Sequence, residues 1–130
     1  MKKIFTTMMF VSSLFAADIY KDTSTSLIWQ DNSDTMTKKV NWKEAKEYCK
    51  RLSLAGYDNW RLPYIKELQS IIDKKNNPAI KKEFKNVAEG YYWSNSVNGS
   101  GKNSAWGIYF KNGTGSNNEI HYKDYVRCVR

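Results

Sequence analysis

The sequence predicts an α+β fold with two main helices, a mainly antiparallel β-sheet and long loops between the elements. The first observation behind this prediction is that apolar residues recur at helical spacing between residues 41 and 73. The second is that residues 91–129 are rich in aromatic residues and in stretches that alternate between apolar and polar types. The third is size, because 130 residues make one domain and an aromatic share of 15% supplies core for a small, loop-rich fold.

The N-terminal segment has the pattern of a secretory signal peptide. It starts with Lys2 and Lys3, continues with an uncharged apolar stretch, and reaches small residues at Ala16. We therefore predict a signal peptide over residues 1–16 and one domain over residues 17–130. The product would be exported, to the periplasm, the medium or the cell surface, with no membrane span after cleavage because the stretch is too short. The alternative is a short N-terminal helix or strand of the domain.

The first elements of the domain are a strand and a helix. The run Leu27–Gln30 is β-prone and bounded by polar residues, so we predict a strand followed by a loop over residues 31–39. Asn41 with Glu44 has a capping-box pattern, which marks the start of the clearest helix. Gly56 is expected to end that helix. Its apolar stripe consists of Trp42, Ala45, Cys49 and Leu52.

A second helix is predicted after the run Trp60-Arg61-Leu62-Pro63, because proline suits the first turn of a helix. Asp73 is expected to end it. Its buried stripe consists of Ile65, Leu68 and Ile72. A third, shorter helical piece is predicted over residues 78–87, from the spacing of Ile80, Phe84 and Val87.

The rest of the chain predicts strands. They cover residues 91–93, 105–110, 119–122 and 125–129. A polar loop is expected over residues 94–104, and Asn112-Gly113 is a strong hairpin signal. In the last strand, Val126 and Cys128 share one face, opposite Arg127 and Val129.

Cys49 and Cys128 are the two cysteines of the chain, and an even number in an exported protein favours a disulfide. The alternative is a nucleophilic or metal-binding thiol. A metal site needs clustered Cys and His residues, whereas His121 is the single histidine and has no such neighbour. We therefore expect no metal and no cofactor.

The chain is basic, with a formal net charge of +8. A basic exported domain attracts polyanions, although such charge also serves solubility alone. The densest basic run is the set of candidate ligand contacts, namely Lys74, Lys75, Lys81, Lys82 and Lys85. These lysines would meet sulfate or carboxylate groups as point charges, and the alternative is an ordinary solvated face. Tyr91, Tyr92 and Tyr109 are candidates for stacking on sugar rings.

Six groups of motifs occur in the order in which they are found in a known family. They are residues 25–31 (Thr-Ser-Leu-Ile-Trp-Gln-Asp), Trp42 with Ala45 and Tyr48-Cys49, residues 56–63 with Glu67-Leu68, Tyr92-Trp93-Ser94, Ala105-Trp106 with Phe110, and residues 125–130. On these residues the chain resembles the DUF1566 family, also called the C-terminal domain of the Legionella collagen-like protein. The resemblance covers nearly the whole mature chain.

The resemblance implies a C-type-lectin-like fold, related to the domain of the formylglycine-generating enzyme, and pairing of Cys49 with Cys128. It also implies a link to adhesion, since the family's founding protein is an adhesin whose terminal domain contacts sulfated glycosaminoglycans. The family commonly has Ser or Thr, an N-cap, after the Pro63 position. Tyr64 stands here, and its phenol cannot reach its own helix's first-turn amides, so this cap must be built from other groups.

The arginines and the tryptophan of these motifs are predicted to be structural. Trp60 is expected in the core, and Pro63 at the start of the second helix. Arg61 and Arg127 each carry donors in a rigid fork, which suits the carbonyl groups that a loop-rich fold must satisfy. Anion binding is the alternative for both arginines.

These observations favour a secreted, non-catalytic binding module for anionic glycan or another envelope or cell-surface component. The expected partners are an anionic polysaccharide or a surface protein, not a specific nucleic acid. Calcium-dependent sugar binding is not expected, because residues 76–79 and 93–95 lack the carboxylates that Ca²⁺ needs. The alternative is a periplasmic structural or protein-interaction domain without a glycan ligand. An enzyme related to the formylglycine-generating enzyme is least favoured, because no nucleophile has a base beside it in a recognisable motif.

Overall fold

A computed structural model describes residues 18–97, 99 and 103–130 of the chain. The predicted signal peptide lies outside the described residues. The strands are β1 (Ile19–Asp22), β2 (Leu27–Gln30), β3 (Lys39–Val40), β4 (Tyr91–Val97), β5 (Ser104–Tyr109), β6 (Thr114–Glu119) and β7 (Asp124–Tyr125). The helices are α1 (Asp34–Thr37), α2 (Trp42–Arg51) and α3 (Ile65–Ser70). None of these helices has the length and apolar character that crossing a membrane takes.

The main sheet has five strands in the order β3-β7-β4-β5-β6. Its pairs are antiparallel, apart from a parallel contact between β4 and β7 at Tyr92 and Tyr125. The α+β class is therefore confirmed, with a mixed sheet in which antiparallel pairs dominate. The single parallel contact arises because β7 follows a reversal after β6 and returns beside β4 in the middle of the sheet.

The N-terminal hairpin and the chain end pair with each other. β1 and β2 form an antiparallel hairpin, of which the sequence predicts β2 but not β1. Ile28 and Arg130 exchange two backbone hydrogen bonds of 2.8 and 2.9 Å. Val129 exchanges two more with Arg61, at 2.9 and 2.8 Å. The last residues therefore lie between β2 and the segment around Arg61.

Helix α2 begins at the predicted cap. The Asn41 Oδ1 atom accepts the N–H of Glu44 at 2.9 Å, and the Glu44 Oε1 atom accepts the N–H of Asn41 at 3.0 Å. The predicted end at Gly56 is wrong, because Leu52 already has extended backbone and the helix ends at Arg51. Gly56, with a φ of 80°, belongs to the turn that follows.

Helix α3 has a cap assembled from two other residues. The Tyr64 N–H donates to the Glu67 Oε1 atom at 2.8 Å, and the Ile65 N–H donates to the Ser96 Oγ atom at 3.0 Å. The Tyr64 ring makes no cap hydrogen bond and is half exposed. Glu67 and a serine from β4 therefore replace the Ser or Thr that the family commonly has here.

The third helical piece predicted over residues 78–87 is wrong, since this segment contains one isolated turn and no helix. Its backbone bonds to other segments, as in the 3.0 Å bond from the Lys81 N–H to the Ile71 carbonyl. Ile80 and Phe84 are buried in the core, which accounts for their apolar character without a helix. A buried loop can thus place apolar residues at the same spacing as a helix.

The strand predicted over residues 119–122 is misplaced. It runs over Thr114–Glu119, and a turn follows it. The sequence Thr-Gly-Ser-Asn-Asn-Glu has low strand propensity, so pairing with β5 along its whole length determines its conformation. The Asn112-Gly113 hairpin turn is confirmed, with Gly113 at a φ of 80°.

The predicted loops contain some regular structure. Residues 31–39 include α1 and the first residue of β3. Residues 94–97 prolong β4, and part of the loop that follows lies outside the described residues. The final strand predicted over residues 125–129 is shorter in the structure, where only Tyr125 of this range belongs to β7. Further along, Val129 forms isolated β-bridges with Trp29 and Arg61.

Two clusters of buried side chains make the core, and the chain end runs between them. The Trp29 cluster comprises Trp29, Leu68, Ile71, Ile80, Phe84, Tyr92, Ile108, Phe110 and Val129. The disulfide cluster comprises Ala45, Cys49, Trp60, Leu62, Trp93, Ala105, Val126 and Cys128. Val126 and Cys128 face one cluster and Val129 the other, so the predicted alternation is confirmed.

The predicted disulfide between Cys49 and Cys128 is confirmed. Both residues are completely buried, and neither thiol is free. The bridge joins α2 to the chain end, and the two cysteines are 79 positions apart in the sequence. Closing so long a loop restricts the unfolded chain strongly.

Replacing both cysteines, as Cys49→Ala with Cys128→Ala, is expected to lower the free energy of unfolding by about 2–5 kcal/mol. The reason is the freedom that the unfolded chain gains when the loop opens. Urea unfolding of the two proteins at one pH measures the difference. A loss below about 1 kcal/mol would show that the bridge is not a main stabiliser.

Candidate functional site

A cleft of about 500 Å³ contains part of the predicted lysine run. We call it the lysine cleft. It is lined by Tyr20, Asp73, Lys75, Asn76, Lys81, Lys82 and Glu83. Lys75, Lys81 and Lys82 therefore share one surface.

A tight reversal of the chain forms one wall of the lysine cleft. The bridge between Ile72 and Ile80 closes this reversal. Inside it, the Asn76 side-chain amide donates to the Ile80 carbonyl at 2.9 Å. Tyr20 of β1 also lines the cleft, and its ring makes a T-shaped contact with Phe84, with 4.9 Å between the ring centroids. The lysines thus project from a segment whose backbone is fixed by the core.

Lys81 is anchored inside the cleft by a buried carboxylate. Its Nζ atom lies 3.1 Å from the Oδ2 atom of Asp22, which is 3% exposed. The Ser24 hydroxyl donates to the other oxygen at 2.7 Å. The Ser24 hydroxyl first, and Lys81 next, hold the pKa of Asp22 below its usual range against the opposing effect of burial. The positive charge of Lys81 is therefore largely neutralised by Asp22 and attracts an external anion only weakly.

The remaining charges of the lysine cleft are mixed. Lys75 and Lys82 are exposed, and the carboxylates of Asp73 and Glu83 line the same cleft. Attraction of an anion would therefore depend on Lys75 and Lys82. The carboxylates add acceptors that suit sugar hydroxyl groups.

The other two lysines of the predicted run do not line the cleft. The side chain of Lys74 passes close to Gly113 in the β5–β6 turn. If Gly113 carried a Cβ atom, that atom would lie 3.3 Å from two carbon atoms of the Lys74 side chain. The Lys85 backbone N–H donates to Asp31 at 2.9 Å, and its side chain is exposed. The five lysines are thus close in sequence, but they lie on different parts of the surface.

Arg127 is confirmed as an arginine that satisfies loop carbonyls. It is 1% exposed, and its two Nη atoms each donate at 2.7 Å, to the carbonyls of Gln30 and Asn86. Its Nη1 atom also lies 3.3 Å from the Asp31 carboxylate. With so little exposure, the guanidinium cannot meet an external anion.

Asp31 completes this buried group. Its two oxygens accept the backbone N–H groups of Lys85 and Asn86, both at 2.9 Å. One carboxylate therefore holds both the arginine of the chain end and the loop that follows the lysine cleft. Among the described residues, the Nε atom of Arg127 and the Nε1 atom of Trp29 are buried without a hydrogen-bond partner.

Arg61 behaves differently from the prediction. Its Nη1 and Nη2 atoms donate to the two carboxylate oxygens of Glu67, each at 2.8 Å, so the expectation that it satisfies loop carbonyls is wrong. The planar fork of a guanidinium matches a carboxylate better than scattered carbonyls. The hydrogen bond from Arg61 lowers the pKa of Glu67, and the same contact raises the pKa of Arg61.

The neighbours of Arg61 are structural. Trp60 is 2% exposed in the disulfide cluster. Pro63 is buried, and its carbonyl accepts the Asn95 N–H at 2.7 Å, which ties the start of α3 to β4.

The aromatic residues suggested by the sequence do not accompany the lysines. Tyr92 is completely buried in the Trp29 cluster. The Tyr91 hydroxyl shares its one hydrogen between the carbonyl oxygens of Ala105 and Ser116, at 3.0 and 2.9 Å within the sheet. Tyr20 of β1 is the aromatic residue of the lysine cleft. Sequence patterning did not identify it, because β1 has no recognisable strand pattern. Asp22 was missed for the same reason.

The described residues offer little support for a metal site. Within residues 18–97, 99 and 103–130, no three His, Cys, Asp or Glu side chains lie close enough together to hold a metal ion. His121 is exposed in the turn after β6. In the segment compared with a calcium loop, the Asn76 side chain is engaged with Asp73 and Ile80.

Comparison with known proteins places the chain in a family. The family model described as the Lcl C-terminal domain matches residues 18–130. No curated protein matches the sequence. The matched span contains every described element, both cysteines and the lysine cleft.

Asp31→Ala is expected to destabilise the fold by about 3–5 kcal/mol. The change leaves the buried Arg127 charge without its carboxylate and leaves two backbone N–H groups without acceptors. Thermal or urea unfolding measures the loss. Asp58→Ala, on an exposed side chain, is the matched control and should change stability little. Equal effects of the two substitutions would contradict the role given to Asp31.

Glu67→Gln is expected to reduce stability at neutral pH and to have less effect in acid. Because the folded-state pKa of Glu67 is lowered, its ionised form stabilises the fold above the unfolded-state value, and this contribution is lost as the pH falls through the folded-state pKa. Solvent screens the pair, so the difference at pH 7 should be about 1 kcal/mol or less. Unfolding curves from pH 7 to pH 3 measure it, with exposed Glu89→Gln as control. A difference that stays constant with pH would refute the ion pair.

Proposed function

The chain belongs to the Lcl C-terminal domain family, and from that premise we propose that it is an exported, non-catalytic module that binds anionic glycans. The proposal includes a C-type-lectin-like fold, as the family resemblance implies. It also includes a location in the periplasm, in the medium or on the cell surface. The glycan would carry sulfate or carboxylate groups and would belong to an envelope or a cell surface.

Support for export comes from the disulfide and from the N-terminal sequence. Both cysteines of the chain are consumed in one buried bridge. Such structural bridges persist in oxidising compartments and are rare in the cytosol. The first sixteen residues have the charge and hydropathy pattern of a signal peptide.

Support for the C-type-lectin-like fold comes from the connections of the chain end. The disulfide joins α2 to the last residues, as the family resemblance implies. The N-terminal hairpin pairs with the chain end through Ile28 and Arg130. Long irregular segments lie between α3 and β4, and they carry the lysine cleft.

The observation that carries the ligand proposal is the lysine cleft. Lys75 and Lys82 are exposed cations on a backbone fixed by the core, beside the ring of Tyr20. Lysine ammonium groups bind sulfate and carboxylate as point charges. A half-buried aromatic ring next to them offers a face to a sugar ring. Together they provide charge and a stacking surface for an acidic sugar.

The non-catalytic part of the proposal rests on the same cysteines. The chemistry of the related formylglycine-generating enzyme needs a cysteine thiol, and here both thiols are bonded to each other inside the core. Burial first, and the Asp34 carboxylate that accepts its hydrogen bond at 2.7 Å next, raise the pKa of the Tyr48 hydroxyl. It is therefore a poor base or nucleophile at neutral pH.

A second candidate function is a periplasmic structural or protein-interaction domain without a glycan ligand. The balance of charge in the lysine cleft favours it, because Asp73 and Glu83 oppose Lys75 and Lys82 and because Asp22 neutralises Lys81. In that case the basic surface serves solubility.

Retention on immobilised heparin separates the two functions. We expect the mature domain to bind at low salt and to elute as salt is added, because exposed charges are screened. Lys75→Glu with Lys82→Glu should abolish most of the retention. Lys74→Glu with Lys85→Glu is the matched control, since it makes the same change in net charge from the same part of the sequence but outside the cleft.

The outcomes separate three accounts. Loss of retention in the cleft variant alone supports glycan binding at the lysine cleft. Equal weakening in both variants indicates attraction by overall charge and contradicts a defined cleft. No retention of the unmodified domain at low salt rejects the glycan proposal in favour of the second function.

A further inference from the structure

A second cationic groove lies beside helix α2. It has a volume of about 190 Å³ and is lined by Lys46, Glu47, Lys50, Arg61, Leu62 and Asn95. We call it the arginine groove. We propose that it binds a single sulfate or carboxylate group carried by a sugar, and that it does so independently of the lysine cleft. The inference rests on the proposed function for the class of ligand, and it adds a second site for that class.

Two lysines and one arginine from two parts of the chain line the arginine groove, and the charge of the arginine is paired with Glu67. Lys46 and Lys50 lie one turn apart on α2, and Arg61 comes from the segment before α3. Like charges at this helical spacing repel each other, so a counter-anion between them would relieve a cost that the free domain bears. The groove's one carboxylate, on Glu47, lies 3.6 Å from Arg51, a cation that does not line the groove.

Two of the cations are held in place before any ligand binds. Arg61 is fixed by its paired hydrogen bonds to Glu67, and its guanidinium lies 5.3 Å from the ring centroid of Tyr64. The Lys46 Nζ atom lies 3.7 Å from the ring centroid of Trp42. Side chains that are already restrained lose less conformational entropy on binding an anion.

The arginine on this surface keeps donors for a ligand. Glu67 occupies the two Nη atoms of Arg61 through one hydrogen bond each. A guanidinium has five N–H groups, so donors remain after this pairing. The side chain of Arg61 is 40% exposed, so solvent and small solutes reach part of it.

The rest of the groove suits the neutral part of an acidic sugar. Asn95 lies on β4, and its backbone N–H donates to the Pro63 carbonyl, so the sheet fixes the backbone from which this side chain enters the groove lining. Leu62 is 2% exposed and forms an apolar floor. The volume is below the roughly 300–1,000 Å³ of sites for larger ligands, so the groove fits one anionic group and part of its ring.

The test is an NMR titration of the mature domain with three small probes: glucose 6-sulfate, glucuronate and uncharged glucose. We expect the side-chain amide signal of Asn95 to shift saturably with the anionic probes and not with glucose. The comparison of the two anions identifies whether sulfate or carboxylate is preferred. Lys50→Gln should weaken the affinity roughly threefold to tenfold, as the loss of one cation.

Two variants serve as controls. Lys43→Gln removes the same charge from the same helix outside the arginine groove and should leave the affinity unchanged. Lys75→Glu with Lys82→Glu, in the lysine cleft, should leave the Asn95 shift intact. Saturable shifts that survive in these controls support the inference even if heparin retention fails, in which case the polymer proposal alone is rejected.

Three results would overturn the inference. One is the absence of an Asn95 shift with either anion, whatever heparin retention shows. Another is an equal response to uncharged glucose. The last is equal weakening by Lys50→Gln and Lys43→Gln, which would mean that the helix attracts anions through its overall charge.

Discussion

The buried ion pair between Arg127 and Asp31 joins three parts of the chain that lie far apart in sequence. Arg127 belongs to the chain end, Asp31 follows β2, and Asp31 also binds the backbone at residues 85–86. Both side chains are nearly inaccessible to water, so removing them from solvent costs several kcal/mol per ion. Carbonyl and amide groups of the surrounding loops offset this cost through the hydrogen bonds that they make with the pair. The pair is therefore stable only when all three segments are in place, which makes it a constraint on the whole fold.

The same constraint positions the candidate binding surfaces. Residues 78–87 have no helix or strand to support them, yet they carry Lys81 and Lys82. Their conformation depends on Asp31 at one end and on the reversal around Asn76 at the other. Next to Arg127, Cys128 fixes the chain end to α2, which contributes Lys46 and Lys50 to the arginine groove. A loop-rich domain thus presents cations on rigid backbone, and rigidity reduces the entropy that binding costs.

Local signals in the sequence predicted a good part of this fold. The Asn41 cap, the apolar stripes of α2 and α3, the Asn112-Gly113 turn and the disulfide all depend on neighbouring residues or on the cysteine count. The failures involve partners distant in sequence. β6 is a strand because of β5, residues 78–87 are buried without a helix, and Arg61 pairs with Glu67 in place of carbonyls. Of the five candidate lysines, three share a cleft. Tyr20 of that cleft and Asp22, the partner of Lys81, lie on β1, a strand without a recognisable sequence pattern.

Native-state hydrogen exchange at the amides of Lys85 and Asn86 tests the central role of the buried pair most directly. Both N–H groups donate to the Asp31 carboxylate, at 2.9 Å. If that carboxylate is locked by Arg127, these two amides exchange only when the whole domain unfolds, with the same opening free energy as the most protected amides of β5. Exchange of Lys85 and Asn86 through local opening, several kcal/mol below the global value, would contradict the account.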